Sequence, residues 1–299
     1  MSANSQSIAA RAREISRDGT YQNAEAKLPY WARSTNPIVR RHLGLYWRTV
    51  PPETRPFVVI YATWCAILGL GMLFPALLSL TMISFLAAIM IVPLAMLLYG
   101  HVLLTVSIQT ADAMQQEMRN NTFNLLRTTP MSLQQIFLGK VAAALWRRMD
   151  DIVMIGQVAL AFSPPILFTV YTSLWSADFS MTAIQTPIAT LVGTLVVFYR
   201  VVAEPVMIGA IAVFAGIVVS GRTRAITSAV VLGAFYFIIL NLMSRLPMVR
   251  GFEGVDGTVY PPNISLIVLI DFVLPVVLPL VITYGLLALS ARIVRSDRV

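Results

Sequence analysis

The chain has 299 residues, of which 57% are apolar and only 12% charged, and its mean hydropathy is +0.75. A typical soluble domain carries about 25% charged residues, so this composition cannot cover a globular surface with solvated groups and excludes a water-soluble enzyme. The net charge of +8 bears on orientation in a membrane rather than on nucleic acid, and the single cysteine, Cys65, can form no intramolecular disulfide.

The first 56 residues hold nine Lys/Arg and no apolar h-region, the pattern of a cytoplasmic arm rather than a cleaved signal peptide. Residues 1–34 read as a flexible arm and 35–56 as an interfacial elbow helix. Helical spacing sets Ile38, Leu43 and Trp47 near one face with Arg40, Arg41 and Arg48 beside it, which suits a helix in the headgroup region. A solvated basic arm is the plainer alternative.

No charged residue occurs from Phe57 to Ala111, a run that suits two spans, 57–79 and 83–108, joined by a tight turn near Leu78 to Ile83. After a polar stretch from Gln109 to Asp151, Ile152 to Thr172 reads as a third span. Pro164-Pro165 should kink it, and Ser163 is placed to satisfy freed backbone groups. The region 186–220, with Arg200, Glu204 and Pro205, reads as one long broken helix closed by the turn Gly221 to Arg224. Ala225 to Met243 is a fifth span, and Ser265 to Val294 a sixth, interrupted by Asp271, Pro275 and Pro279. The predicted fold is therefore all-α and polytopic: a six-helix transmembrane domain over 57–294 and a cytoplasmic tail at 295–299, in the cell (plasma) membrane with both termini on its cytoplasmic side. That topology places 19 of the 22 Lys/Arg on one face, whereas splitting 186–220 into two spans would carry Arg222, Arg224 and the C-terminal arginines outside, against the positive-inside rule.

The longest connection, 112–140, carries the strongest local pattern. Met114, Met118, Phe123, Leu125 and Leu126 recur at three- to four-residue spacing, so one helix face is apolar and suits the membrane surface or a partner. Thr129 before Pro130 is one helix-start signal, and Ser132 with Gln135 is a competing capping box. Either start gives a second helix that ends near Gly139-Lys140.

Ionisable groups at membrane depth are expensive and usually functional. Arg200 and Glu204, four apart, can pair with each other; a structural salt bridge and the lining of a substrate or ion path are both open. Asp271, about one turn into the last span, raises the same alternatives. His101 has only His42, in the arm, as a companion, and a lone membrane histidine is more often bonded locally than a ligand. No metal-spaced His/Cys cluster, G-x-S-x-G elbow or carboxylate pair with a pocket occurs, and Asp150-Asp151 read as helix-end charges. The segment 251–263 reads as an outer lid or a simple connector.

The order Glu117, Thr122, Leu125-Leu126, Pro130, Ser132, Ile136 and Gly139-Lys140 resembles the segment between spans two and three of type-2 (ABC-2) ABC transporter permeases, whose usual form is an acid, Gly-Thr, a leucine pair, Pro-x-Ser and Gly-Lys. Asn36-Pro37 with Arg40-Arg41, and the turn Ser220, Arg222, Arg224, Ala225, resemble the same family more weakly. Asn121 stands where the family has Gly, a substitution that tolerates left-handed backbone. The resemblance implies a permease that works as a dimer with a second copy or homologue in the bilayer, driven by a cytoplasmic ABC ATPase that binds ATP and Mg and pushes on 112–140. Glu117 and Arg119 would make polar contacts there while Leu125 and Leu126 seat the helix. The chain itself lacks the G-x-x-x-x-G-K-[ST] phosphate loop, since Gly139-Lys140 has neither the earlier Gly nor the following Ser/Thr. It is expected to be no enzyme and to hold no cofactor of its own. Two other classes stay open: a structural subunit of a larger membrane complex, and an ion-coupled secondary transporter using Arg200, Glu204 or Asp271.

Overall fold

The structure, a computed structural model, describes residues 26, 28–33, 35–43, 52–120, 122, 130–174, 179–243, 252–253, 259–260 and 264–296. These form α1 (Pro37–Leu43), α2 (Arg55–Gly71), α3 (Ser79–Arg119), α4 (Leu133–Trp146), α5 (Met149–Leu174), α6 (Phe179–Val218), α7 (Arg222–Met243) and α8 (Ile264–Ser296). One antiparallel pairing, β1 (Phe252–Glu253) with β2 (Val259–Tyr260), lies between α7 and α8, within the segment read as lid or connector. Five of the helices, α3 and α5 to α8, are long and apolar enough to cross a membrane, which makes the chain a multi-pass membrane protein. The 17-residue α2 is apolar but shorter.

The first turn comes earlier than predicted. α2 ends at Gly71, and the chain folds straight back over that glycine: a Cβ there would overlap Leu78 Cδ2. Pro75, which has no N–H to continue a helix, opens a 3-10 turn at Pro75–Leu78. α3 then runs unbroken for 41 residues to Arg119, well beyond the predicted end at 108. The acids on its last turns, Asp112 and Glu117, pair with Arg222 and Lys140, so their charges do not end the helix. Ser132 rather than Thr129 starts the next helix: its hydroxyl accepts from Gln135 N–H at 3.3 Å while Gln135 Oε1 accepts from Ser132 N–H at 3.1 Å, a complete capping box. α4 continues past Gly139-Lys140 to Trp146, because Ala142 to Ala144 favour helix and pack inside.

Prolines inside α5, α6 and α8 do not interrupt the helical path, but the freed carbonyls need partners. In α5, Pro165 cannot donate to Ala161, and the Trp64 indole of α2 donates to that carbonyl at 3.1 Å. The predicted helper, Ser163, instead has a buried hydroxyl without a hydrogen-bond partner. α6 is one 40-residue helix with Pro187 and Pro205 inside it, not the broken helix expected. α8 opens as helix at Ile264–Ile267, passes through a π segment at Val268–Val273 and continues from Leu274. The widening sits where Pro275 cannot bond the Asp271 carbonyl, so the expected interruption is a π-bulge.

α6 is the central element: 67% of its most apolar stretch is buried, against 11% for α3. It meets α3, α5, α7 and α8. Small residues make this possible. A Cβ on Gly209 would overlap Val141 of α4, and one on Gly216 would lie 2.8 Å from Met114 Cβ of α3. Ala212 and Ala215 pack on Ala111 and on Ala229 of α7. α3 is asymmetric along its length. From Val102 onward it is buried at regular spacing through Met114 and Glu117, whereas Leu80, Met82, Leu86, Met90, Leu94 and Leu97 are exposed. The arm helix α1 and the last turns of α8 meet in one cluster, where Ile38 packs with Met114, Ile136, Leu287, Ala291 and Val294, so the first and last helices share an end of the bundle.

Gly209→Ala is expected to destabilise the protein by about 1–3 kcal/mol through overpacking, read as a lower melting temperature in detergent, and Val141→Ala in the same chain is expected to restore most of the loss.

Candidate functional site

α1, the end of α3 and α4 converge on a buried ionic joint. Asn36 caps α1: its Oδ1 accepts from Ile38 N–H at 2.9 Å and its Nδ2 donates to the Trp31 carbonyl at 3.4 Å. The cap rests on Gly139 of α4, where a Cβ would lie 3.3 Å from Ile38 and 3.4 Å from Asn36 Nδ2. Asn36-Pro37 and Gly139-Lys140, 103 residues apart in sequence, are thus one contact. Ile38, Val39 and Leu43 are buried, with Val39 and Leu43 against Ala142, Ala143 and Trp146 of α4. The apolar face assigned to the headgroup region is therefore used on protein; Trp47 and Arg48 lie outside the described residues. Trp146 Nε1 donates to the Ala32 carbonyl at 2.8 Å, so the arm meets α4 at that residue; 1–25, 27 and 34 lie outside the described residues.

Beside this contact, Lys140 pairs with Glu117 Oε2, and His42 Nε2 of α1 stands 3.3 Å from Glu117 Oε1. The Lys140 side chain is fully buried, with Nζ 3.5 Å from Met114 Sδ. Burial pushes its amine below the ordinary lysine range, and the Glu117 carboxylate pulls the other way. The carboxylate thus brings residues of three helices, α1, α3 and α4, to one point. Arg147 extends the joint by donating to the His42 carbonyl at 2.5 Å.

A second lock sits at the same end. Gly221, at φ +99°, turns the chain in left-handed geometry just before α7, whose Ala225 N–H donates to the Gly221 carbonyl. Gln115 of α3 donates to the Gly216 and Val219 carbonyls at 2.7 and 2.6 Å, and Arg222 of α7 pairs with Asp112 at 2.6 Å. An open groove of about 500 Å³ lies between these residues and the exposed Met118 and Arg119.

Midway along α3 and α6 lies a third polar group. Arg200 Nε donates to Glu204 Oε1 at 2.6 Å, and Tyr99 donates to Glu204 Oε2 at 2.7 Å. Glu204 is buried and both of its oxygens are engaged. Arg200 and Glu204 thus form the pair that their helical spacing allows. Asp271 is half-buried in the π segment of α8.

The predicted coupling residues divide into two sets. Glu117, Gly139 and Lys140 are buried, and Glu117 is engaged within the chain by Lys140. Arg119, Pro130 and Ser132 are exposed, and Thr122 is helical and half-buried. Asn121, Leu125 and Leu126 lie outside the described residues. His42, Asp112, Gln115 and Tyr99 were not singled out for these roles, because no local spacing ties them to partners about 70 to 110 residues away. Among the described residues no three His, Cys, Asp or Glu side chains gather as metal ligands would. Comparison of the chain with family models, curated proteins and solved structures gives no match.

Removing one partner of a buried ion pair strands the other charge, at about 3–5 kcal/mol. Glu117→Gln and Lys140→Met are each expected to lower detergent melting sharply. The double variant Glu117→Leu/Lys140→Met is expected to recover most of that stability, a coupling that a double-mutant cycle measures directly.

Proposed function

We propose that the chain is the transmembrane permease subunit of an ATP-driven transporter of the ABC-2 exporter class, with α2 as the first of six spans and both termini cytoplasmic in the plasma membrane. A separate ATPase, which binds ATP and Mg, acts on 112–140, and two permease copies or homologues work as a dimer. The observation that carries the reading is the joint of His42, Glu117 and Lys140. It lies directly behind the family-like segment and welds the arm helix, the foot of α3 and α4 into one piece.

In this reading, force applied at Arg119 and at Ser132 enters α3 and α4 directly. α3 carries it upward as a continuous helix, α4 passes it into α5, and Gln115 and Arg222 pass it to α6 and α7. Glu117 acts as the internal pin of this assembly, and the exposed Arg119, Pro130 and Ser132 offer the outward surface. The Arg200–Glu204–Tyr99 group, with both carboxylate oxygens engaged, serves the scaffold in this mechanism rather than ion coupling.

Mild-detergent affinity purification followed by mass spectrometry tests the reading. The expected outcome is recovery of an ATPase carrying a phosphate loop, lost in Leu125→Asp and weakened in Arg119→Glu, while both variants keep the wild-type melting temperature. Recovery with other membrane subunits and no ATPase would overturn it in favour of a structural subunit.

A further inference from the structure

A second cavity lies apart from the ionic joint, on the flank of the bundle. It occupies about 320 Å³ between arm residues 28–32, the start of α2, the end of α4, the first turns of α5 and the middle of α6. That volume is at the low end of small-molecule sites, roughly 300–1,000 Å³. Its walls include Trp31, Phe57, Leu145, Trp146, Ile152 and Phe198. Among the described lining residues only Thr54 carries a hydroxyl, and the Trp146 N–H is already given to Ala32. Beyond the Thr54 hydroxyl and the Trp31 N–H a polar ligand would find no side-chain partner for the waters it loses, so the site favours hydrocarbon.

The direction of entry follows from exposure. Val202 lines the cavity and is 52% exposed, and Val58, Val59 and Met154 on the adjoining helices are exposed as well, so the site belongs to the apolar flank that a bilayer covers. At the other end the chain is basic. Arg55 follows Thr54, Arg147 follows Trp146, and Arg40 and Arg41 ride on α1; all four are exposed, against exposed Glu53 and Asp150. Two indoles, Trp31 and Trp146, stand between the basic end and the hydrocarbon, the position that tryptophan takes at a membrane interface.

We propose that this cavity holds an acyl chain of an anionic phospholipid from the surrounding bilayer, with the headgroup among Arg55, Arg147 and the α1 arginines. The chain fills the space between the arm and the foot of α2, where no side chain of the described residues does, and so fastens the arm to the first apolar helix. The inference needs only a bilayer around the helices and is independent of an ATPase.

The full chain is reconstituted in nanodiscs of phosphatidylcholine with or without phosphatidylglycerol, extracted gently, and its retained lipid measured by native mass spectrometry. Wild type is expected to keep phosphatidylglycerol in preference to phosphatidylcholine. Leu145→Trp, which fills the cavity, is expected to lower retention about tenfold, equivalent to about 1.4 kcal/mol, and Arg55→Glu/Arg147→Glu to abolish the preference between headgroups. A second measurement requires no cavity-filling variant: bromine-labelled phosphatidylglycerol should quench tryptophan fluorescence more than the labelled phosphatidylcholine, and Trp31→Phe/Trp146→Phe should remove the difference. Equal retention and equal quenching by the two lipids, undiminished retention in Leu145→Trp, or occupation by detergent or free fatty acid alone would overturn the proposal.

Discussion

Close approach of backbones along α6 is the constraint on which the rest of the bundle depends. Inside a bilayer, apolar side chains gain little by leaving lipid for protein, so helices associate through fit and hydrogen bonds. Gly209 and Gly216 let α4 and α3 come within contact of the α6 backbone, and the alanines between them extend the same seam to α7. The polar locks rely on that closeness. Gln115 reaches the last carbonyls of α6 only because α3 lies against Gly216, and Lys140 reaches Glu117 only because α4 lies against Gly209 and α3 beside it.

The same environment forces every freed backbone group to find a partner. The solution for Pro165 is instructive because it links two helices: the indole that satisfies Ala161 comes from α2, the shortest of the apolar helices. A proline that weakens α5 internally thereby anchors α2 externally. Asp271 and Pro275 show the other solution, in which α8 widens by one residue locally instead of recruiting a neighbour.

Helix identity and order were legible because apolar runs long enough to span a membrane leave few alternatives. Ser132 with Gln135 was legible because a capping box is local, and Arg200 with Glu204 because their spacing is helical. What stayed hidden was whatever a distant partner decides. The charges at Asp112 and Glu117 look like the end of a helix until Arg222 and Lys140 are brought beside them, and α3 then continues. Ile38 and Leu43 form an apolar face that would suit lipid as well as protein; only the presence of α4 selects the second. Ser163 stands next to the prolines in sequence, but its geometry lost to an indole from another helix.

α3 and α6 have 41 and 40 residues, and at 1.5 Å each is roughly 60 Å long, about twice the hydrocarbon thickness of a bilayer. Tyr99 and Arg200 fall near the midpoint of each, and there the two are fastened through Glu204. Below the fastening α3 lies against α6; above it, the side chains of α3 are largely bare. Tyr99 joins the two at half-height and Gln115 joins them again at the lower end, so the lower halves are fixed to each other and any splaying of the pair is confined to the upper halves.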